Sequence, residues 1–142
     1  MYWQRRLSVD TRGRATHALT HEVAAIVAEQ PLVCGLCHVF LRHTSASLVL
    51  TENADPDVRR DPEAFMQRAV PDAAPYYRHT TEGADDMAAH VRNVLAGSSL
   101  TLPVSDGRLA LGTWQGIYLW EHRASGHRRE VVVTVHGASP TG

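Results

Sequence analysis

Residues 100–136 read LTLPVSDGRLALGTWQGIYLWEHRASGHRREVVVTVH, and this stretch decides the fold. It holds four apolar or β-branched runs, at 100–104, 109–111, 116–122 and 129–136. Ser105-Asp106-Gly107 and Ala124-Ser125-Gly126 punctuate them as turns. Strands joined so closely pair mainly antiparallel, because a parallel neighbour needs a long crossover. Working outward, 34–41 and 47–51 are further strands, rich in aliphatic and β-branched residues, and 2–9 is a first one. The helices lie between these runs. Leu19, Val23, Ile26 and Val27 recur at helical spacing over 16–30, and Pro31 blocks continuation. A polar helical segment runs over 55–69, where Asp61 caps and Pro62 opens a second helical piece; Val58, Phe65, Met66 and Ala69 would face the core. The third helix covers 84–95, with a stripe of Met87, Val91, Val94 and Leu95, and Gly97 ends it. About seven strands and three helices, with the helices in the first two thirds, define an α+β single domain.

The bulk numbers narrow the function. The chain has 142 residues, 44% of them hydrophobic and 20% charged, which suits one globular domain with its own core. A formal net charge of -1 gives no general pull toward nucleic acid or anionic membrane. Arg123, Arg128 and Arg129 do cluster, but Glu121 and Glu130 interrupt them. No apolar run approaches the ~20 residues of a membrane helix, and no apolar h-region follows Arg5-Arg6, so a cytoplasmic protein is expected. Cys34 and Cys37 have C-x-x-C spacing, yet inside a strand that odd spacing sends the thiols to opposite faces. They read as strand residues, not as a redox or zinc motif.

Chemistry-bearing residues gather at the ends of these elements. His43-Thr44-Ser45-Ala46-Ser47 leads into Glu52-Asn53-Ala54-Asp55, where a rigid scaffold can aim side chains. His79 stands in the polar loop 76–83, and His90 falls at the edge of a helical stripe, able to point inward. His43, His79 and His90 are thus candidate metal ligands, and three imidazoles with an open fourth position suit a catalytic zinc ion. His17 and His21 are four apart on the first helix but on its solvent side, so they read as surface residues. Ser105-Asp106-Gly107-Arg108 puts a carboxylate and a guanidinium on one turn, either as a local ion pair or as an anion grip. Gly112-Thr113-Trp114-Gln115-Gly116 brackets a hydroxyl, an indole and an amide with two glycines in a strand region, which marks a bulge or a ligand approach. Asn53 and Asp55 can bind the same ligand or cap the following helix. Ser45 lies near His43, but nothing fixes a catalytic triad. No G-x-x-x-x-G-K-[ST], G-x-G-x-x-G, H-E-x-x-H or G-x-S-x-G pattern occurs.

Taken together, His43-Thr44-Ser45-Ala46, Glu52-Asn53-Ala54-Asp55, Tyr77-Arg78-His79, Asp86-Met87-Ala88-Ala89-His90 and the segments 103–109 and 112–117 resemble the YjbQ-like family. The resemblance spans nearly the whole chain. It implies a compact α+β fold whose mixed, largely antiparallel sheet curls into a half-barrel or sandwich, and a homotrimer. It also implies a pocket in which His43, His79 and His90 hold a divalent metal, zinc by its donor set. Asp106, Arg108, Thr113 and Gln115 match the family's other polar positions, while Pro62 departs from the apolar helix former usual there. A weak thiamine-phosphate synthase activity is associated with the family.

The expectation is then a metal-dependent enzyme acting on a small anionic or phosphorylated metabolite. Arg108 would bind the anion, and Asp106, Glu52 or Glu121 would serve as acid or base. Ser45, Asn53, Thr113 and Gln115 would contact the ligand. The alternatives are a non-catalytic metal- or metabolite-binding protein with the same pocket, and a structural protein whose polar clusters serve subunit contacts.

Overall fold

The computed structural model describes residues 1–140. Its elements run β1 (Tyr2–Asp10), β2 (Ala15–Ala18), α1 (Thr20–Val27), β3 (Cys34–Leu41), β4 (Ala46–Glu52), α2 (Asp57–Ala69), α3 (Asp86–Ala96), β5 (Ser99–Ser105), β6 (Arg108–Leu109), β7 (Gln115–Glu121) and β8 (Arg128–Ala138). The strands form a five-stranded sheet, ordered β1-β8-β3-β5-β6, and a three-stranded sheet, ordered β2-β7-β4. Every pair among the described residues is antiparallel. The sheets curl into the half-barrel of an α+β domain, with two adjustments to the expected sheet: no pair among the described residues is parallel, and the strands divide between two sheets.

Alternation fixes which face of each strand is inside. Cys37, Val39 and Leu41 of β3, Val131, Val133 and Val135 of β8, and Leu102 and Val104 of β5 point to one core. Ile117 and Leu119 of β7 and Leu48 of β4 meet them from the small sheet, and Val23, Ile26 and Val27 of α1 close the gap. A second, smaller core lies on the other face of the small sheet. There Trp120 packs with Met66 and Val70 from α2 and its C-terminal end, and with Ala88 of α3. Cys34 is exposed and Cys37 buried, as their opposite strand faces require.

Four local readings are corrected. Residues 15–18 are strand, not helix: Ala15–Ala18 pairs with Glu121 to Tyr118 of β7, and α1 starts only at Thr20. His17 is therefore half-buried in a strand, while His21 stays exposed. Pro62 does not open a new helix but sits inside α2, where its missing N–H removes one rung. Of the four residues expected to face the core there, Met66 is buried and Val58 partly buried, while Phe65 and Ala69 are exposed. On α3 the buried face is Asp86, Ala88, Ala89 and Arg92; Val94 and Leu95 are 81% and 63% exposed. Arg92 can be buried because Glu63 of α2 meets its Nη1 at 2.9 Å and the Val70 carbonyl accepts from its Nη2.

Candidate functional site

The ends of the strands divide the expected site residues into two groups. The Asp106 turn hangs from the start of β3: Ser105 pairs with Cys34, and Asp106 N donates to the Val33 carbonyl. His43 lies two residues past the other end of that strand, which alone spans about 23 Å at ~3.3 Å per residue. The small sheet repeats the division. Glu52 pairs with Gln115 at one end of β4, and Ala46 pairs with Glu121 at the other. Within one chain, Asp106, Arg108, Glu52, Asn53, Thr113 and Gln115 thus belong to one end, and Ser45, His43, His79, His90 and Glu121 to the opposite end.

At the first of these ends the polar groups serve the turns. Asn53 Nδ2 donates to the Thr113 carbonyl at 3.2 Å and to the Gln115 carbonyl at 3.4 Å. Gln115 Oε1 accepts from Gly112 N at 2.8 Å and closes the 112–115 turn. Glu52 Oε2 accepts from Asp55 N, and Asp55 Oδ1 in turn accepts from Asp57 N at the start of α2. Asp106 and Arg108 are exposed on their hairpin, with Asp106 at φ 51.

At the other end, side chains hold one another. Asp86, in the first turn of α3, is 5% exposed. Its Oδ2 lies 2.9 Å from His79 Nε2 and 3.1 Å from His90 Nε2, and its Oδ1 lies 3.1 Å from Arg123 Nη1. Asp86 and His90 are four apart on one helix, hence on one face. Arg123 is fixed in turn by Asp85, whose Oδ2 accepts from Arg123 Nε at 2.9 Å and from Ala124 N at 2.8 Å. The Arg123 guanidinium and these hydrogen bonds hold the Asp85 carboxyl down to about 2.

His90 carries the decisive detail. Its Nδ1 is 2.9 Å from the Thr44 carbonyl oxygen. A carbonyl only accepts, so Nδ1 carries the proton. In the neutral ring the Nε2 lone pair then faces a carboxylate oxygen already shared with His79, and that contact requires a proton or a cation between the two atoms. The donors of His79, Asp86 and His90 lie within 4.8 Å of one another. Two imidazoles and a carboxylate are a donor set that zinc and its neighbours accept.

His43 stands outside this group. Its Nε2 accepts from Glu130 N at 2.8 Å, which leaves its proton on Nδ1 and no free lone pair for a metal. Burial, and next the Arg129 charge, lower its pKa, so the ring is held neutral. It lines a recess of about 460 Å³ with Arg42, Thr44, Asn93 and Ser98. Glu121 is fully buried. Burial pushes its carboxyl upward, but hydrogen bonds from Arg129, Thr11 and the Arg123 backbone outweigh this and hold it below the ordinary carboxylate range. Ser45 Oγ accepts from the same Arg129, at 3.0 Å. Glu121 and Ser45 are thus parts of a closed ion-pair network. His122, which the sequence did not single out, is wholly buried with its Nε2 2.8 Å from Ser47 Oγ. Burial, with the Arg92 charge, pushes its pKa down to about 3. Asp86 and Arg123 also escaped sequence reasoning as site residues; the Asp86–His90 helical spacing was the available signal for the first.

The fold and site define a small α+β half-barrel with a histidine–carboxylate cluster at one end. The family described as UPF0047 protein YjbQ-like matches residues 5–138, and the chain belongs to it. A UPF0047 protein of Synechocystis sp. is 49% identical over 94% of this chain and 91% of its own length. The YjbQ protein of Escherichia coli O157:H7 is 47% identical over 96% and 99%. Among solved structures, the conserved hypothetical protein TT1486 of Thermus thermophilus superposes with a TM-score of 0.81 at 34% identity, covering 91% of this chain and 97% of its own. Among the described residues no helix is long and apolar enough to cross a membrane.

Proposed function

We propose that this chain is a cytoplasmic protein that holds a divalent metal of the zinc class on His79, Asp86 and His90 and acts there on a small anionic or phosphorylated metabolite. One observation carries the reading: the Nδ1–H of His90 is fixed on the Thr44 carbonyl while its Nε2 faces the buried Asp86. Ligating histidines are oriented in this manner, by a carbonyl or carboxylate on the second ring nitrogen. Arg123, behind Asp86, holds that carboxylate in place through its Oδ1. When bound, such a metal polarises a phosphoryl or carbonyl oxygen or acidifies a water.

The chain's own residues supply the rest. The recess beside His43 adjoins the cluster, since Thr44 lines it and also holds His90. His43, in its Nδ1–H form, offers a neutral donor, and Arg42, whose Nη1 also meets Glu130 Oε2 at 3.2 Å, has further N–H groups for the anion. In this reading Arg42 takes the part expected of Arg108, and Glu121 is a structural anchor, not an acid or base. Thiamine-phosphate synthesis falls within the proposed class, because its pyrophosphate leaving group needs an anion grip. Further copies of the chain are the proposed partners for the exposed Phe40, Val94 and Leu95, as a homotrimer.

Metal content of the purified, zinc-incubated protein tests the site. Near-stoichiometric metal is expected in the parent and in His43→Ala, with loss in His79→Ala and His90→Ala. Absence of metal in the parent after incubation overturns the reading. Turnover of phosphorylated metabolites by the loaded parent but not by His90→Ala separates an enzyme from a binding protein.

A further inference from the structure

On the outer face of the small sheet, α2 stands off from β2, β7 and β4 and leaves a cleft of two adjoining lobes. The outer lobe, of about 570 Å³, is walled by Arg14, Arg59, Arg60 and Tyr118. The inner lobe, of about 240 Å³, is apolar, with Val49, Val58, Pro62 and Trp120 in its wall. Thr16 and Arg59 line both lobes. The combined volume lies in the range of small-molecule sites.

Arg59 distinguishes this cleft from an ordinary surface groove. Six arginines among the described residues have no carboxylate within ion-pair distance: Arg12, Arg59, Arg68, Arg78, Arg108 and Arg128. Five of them are exposed, and Arg59 alone is half-buried. A half-buried guanidinium without a carboxylate partner keeps N–H groups available to an oxyanion. Its guanidinium lies over the Tyr118 ring at 4.7 Å from the centroid, and Nη1 donates to the Glu52 carbonyl at 2.8 Å. The head group is thereby held in one orientation. Gly116 makes that floor: a Cβ there would stand 2.8 Å from Tyr118 Cε2, so any other residue would displace the ring. The one carboxylate in the wall, Glu63, is already occupied, Oε2 by Arg92 Nη1 and Oε1 by Trp120 Nε1. Arg14 is likewise paired with Asp72.

We infer that this cleft is a second binding site, distinct from the histidine cluster, for a small molecule that joins an oxyanion to an apolar ring. The oxyanion sits on Arg59 with Arg60 at the rim, and the ring enters the inner lobe against Val49 and Trp120. The fixed guanidinium supplies a charge-assisted hydrogen bond, and the apolar lobe supplies burial.

Phenyl phosphate is the probe, with inorganic phosphate beside it. Titration of the parent, followed by the indole N–H resonances, is expected to move the Trp120 signal saturably and leave Trp114 still. Calorimetry is expected to show tighter binding of phenyl phosphate than of inorganic phosphate. Arg59→Met is expected to weaken phenyl phosphate about tenfold or more, the scale of one lost charge-assisted bond. In metal-free protein His90→Ala is expected to bind it as the parent does, so failure of the metal reading leaves this one standing. A Trp120 signal that does not saturate, or equal affinity for the two probes, overturns the inference. So does an Arg59→Met protein that binds as the parent.

Discussion

At one end of β4, the Glu52 and Gln115 side chains accept from the backbone of their own turns, and Asn53 donates to the Thr113 and Gln115 carbonyls across from it. At the other end, His79, Asp86, His90 and Arg123 bond to one another around a buried carboxylate. Both ends are rich in the polar residues a sequence reader takes for a site. The difference lies in what burial demands. An exposed amide satisfied by its own turn needs nothing further. A buried carboxylate oxygen against two imidazole nitrogens needs positive charge, and His90 has its other proton committed to Thr44. The comparison teaches that unmet electrostatic demand, not polarity, sets apart the end proposed to be functional.

The largest effect should come from the foundation of the histidine end. Arg129→Ala leaves the wholly buried Glu121 without its partner, and breaking a buried pair in this way costs about 3–5 kcal/mol. Urea unfolding measures it; a loss under about 1 kcal/mol would break the contrast, because the charges would then be as dispensable as surface ones.

Acid sharpens the same contrast. Folded His122 is held near 3, against an ordinary 6.5, by burial first and the Arg92 charge next. Between those values the unfolded chain binds a proton that the folded chain refuses, so stability falls as pH drops below 6.5, by up to about 1.4 kcal/mol per unit. Above 6.5 this contribution is fully present. His43, also shifted down, adds to the slope. His122→Phe should flatten, without abolishing, the decline from pH 6.5 toward about 5. An unchanged slope would show that His122 is solvated.

The smallest effect belongs to the other end. Gln115→Ala removes the acceptor for Gly112 N and should cost about 1 kcal/mol, with metal content unaltered. Loss of metal in that variant would merge the two ends into one site.

Much of this was legible in the sequence, for reasons that differ by element. The limits of β3 were readable because Cys34, at its exposed edge, and Leu41, buried, bound one alternating run. The strand β2 was not: four residues with no apolar alternation are strand only because β7 lies beside them. The buried face of α3 misled because Ala88 and Ala89 let the helix pack closely and Arg92 goes inward to Glu63, which leaves Val94 and Leu95 outside. The histidines were visible as residues, but their grouping was not. Only the antiparallel register sets His43 and Asp106 at opposite ends of β3, and only the loop after α2 brings His79 to Asp86. Arg59 and the cleft beneath α2 depend on packing that no motif announces.

The most direct test of the central claim is a crystal structure of the zinc-loaded protein, with anomalous differences recorded at the zinc edge. The expected result is one peak bonded to His79 Nε2, Asp86 Oδ2 and His90 Nε2, with His90 Nδ1 still on the Thr44 carbonyl and His43 on Glu130 N. A peak held by His43, or no peak with His90 donating a proton from Nε2 to Asp86, would contradict it.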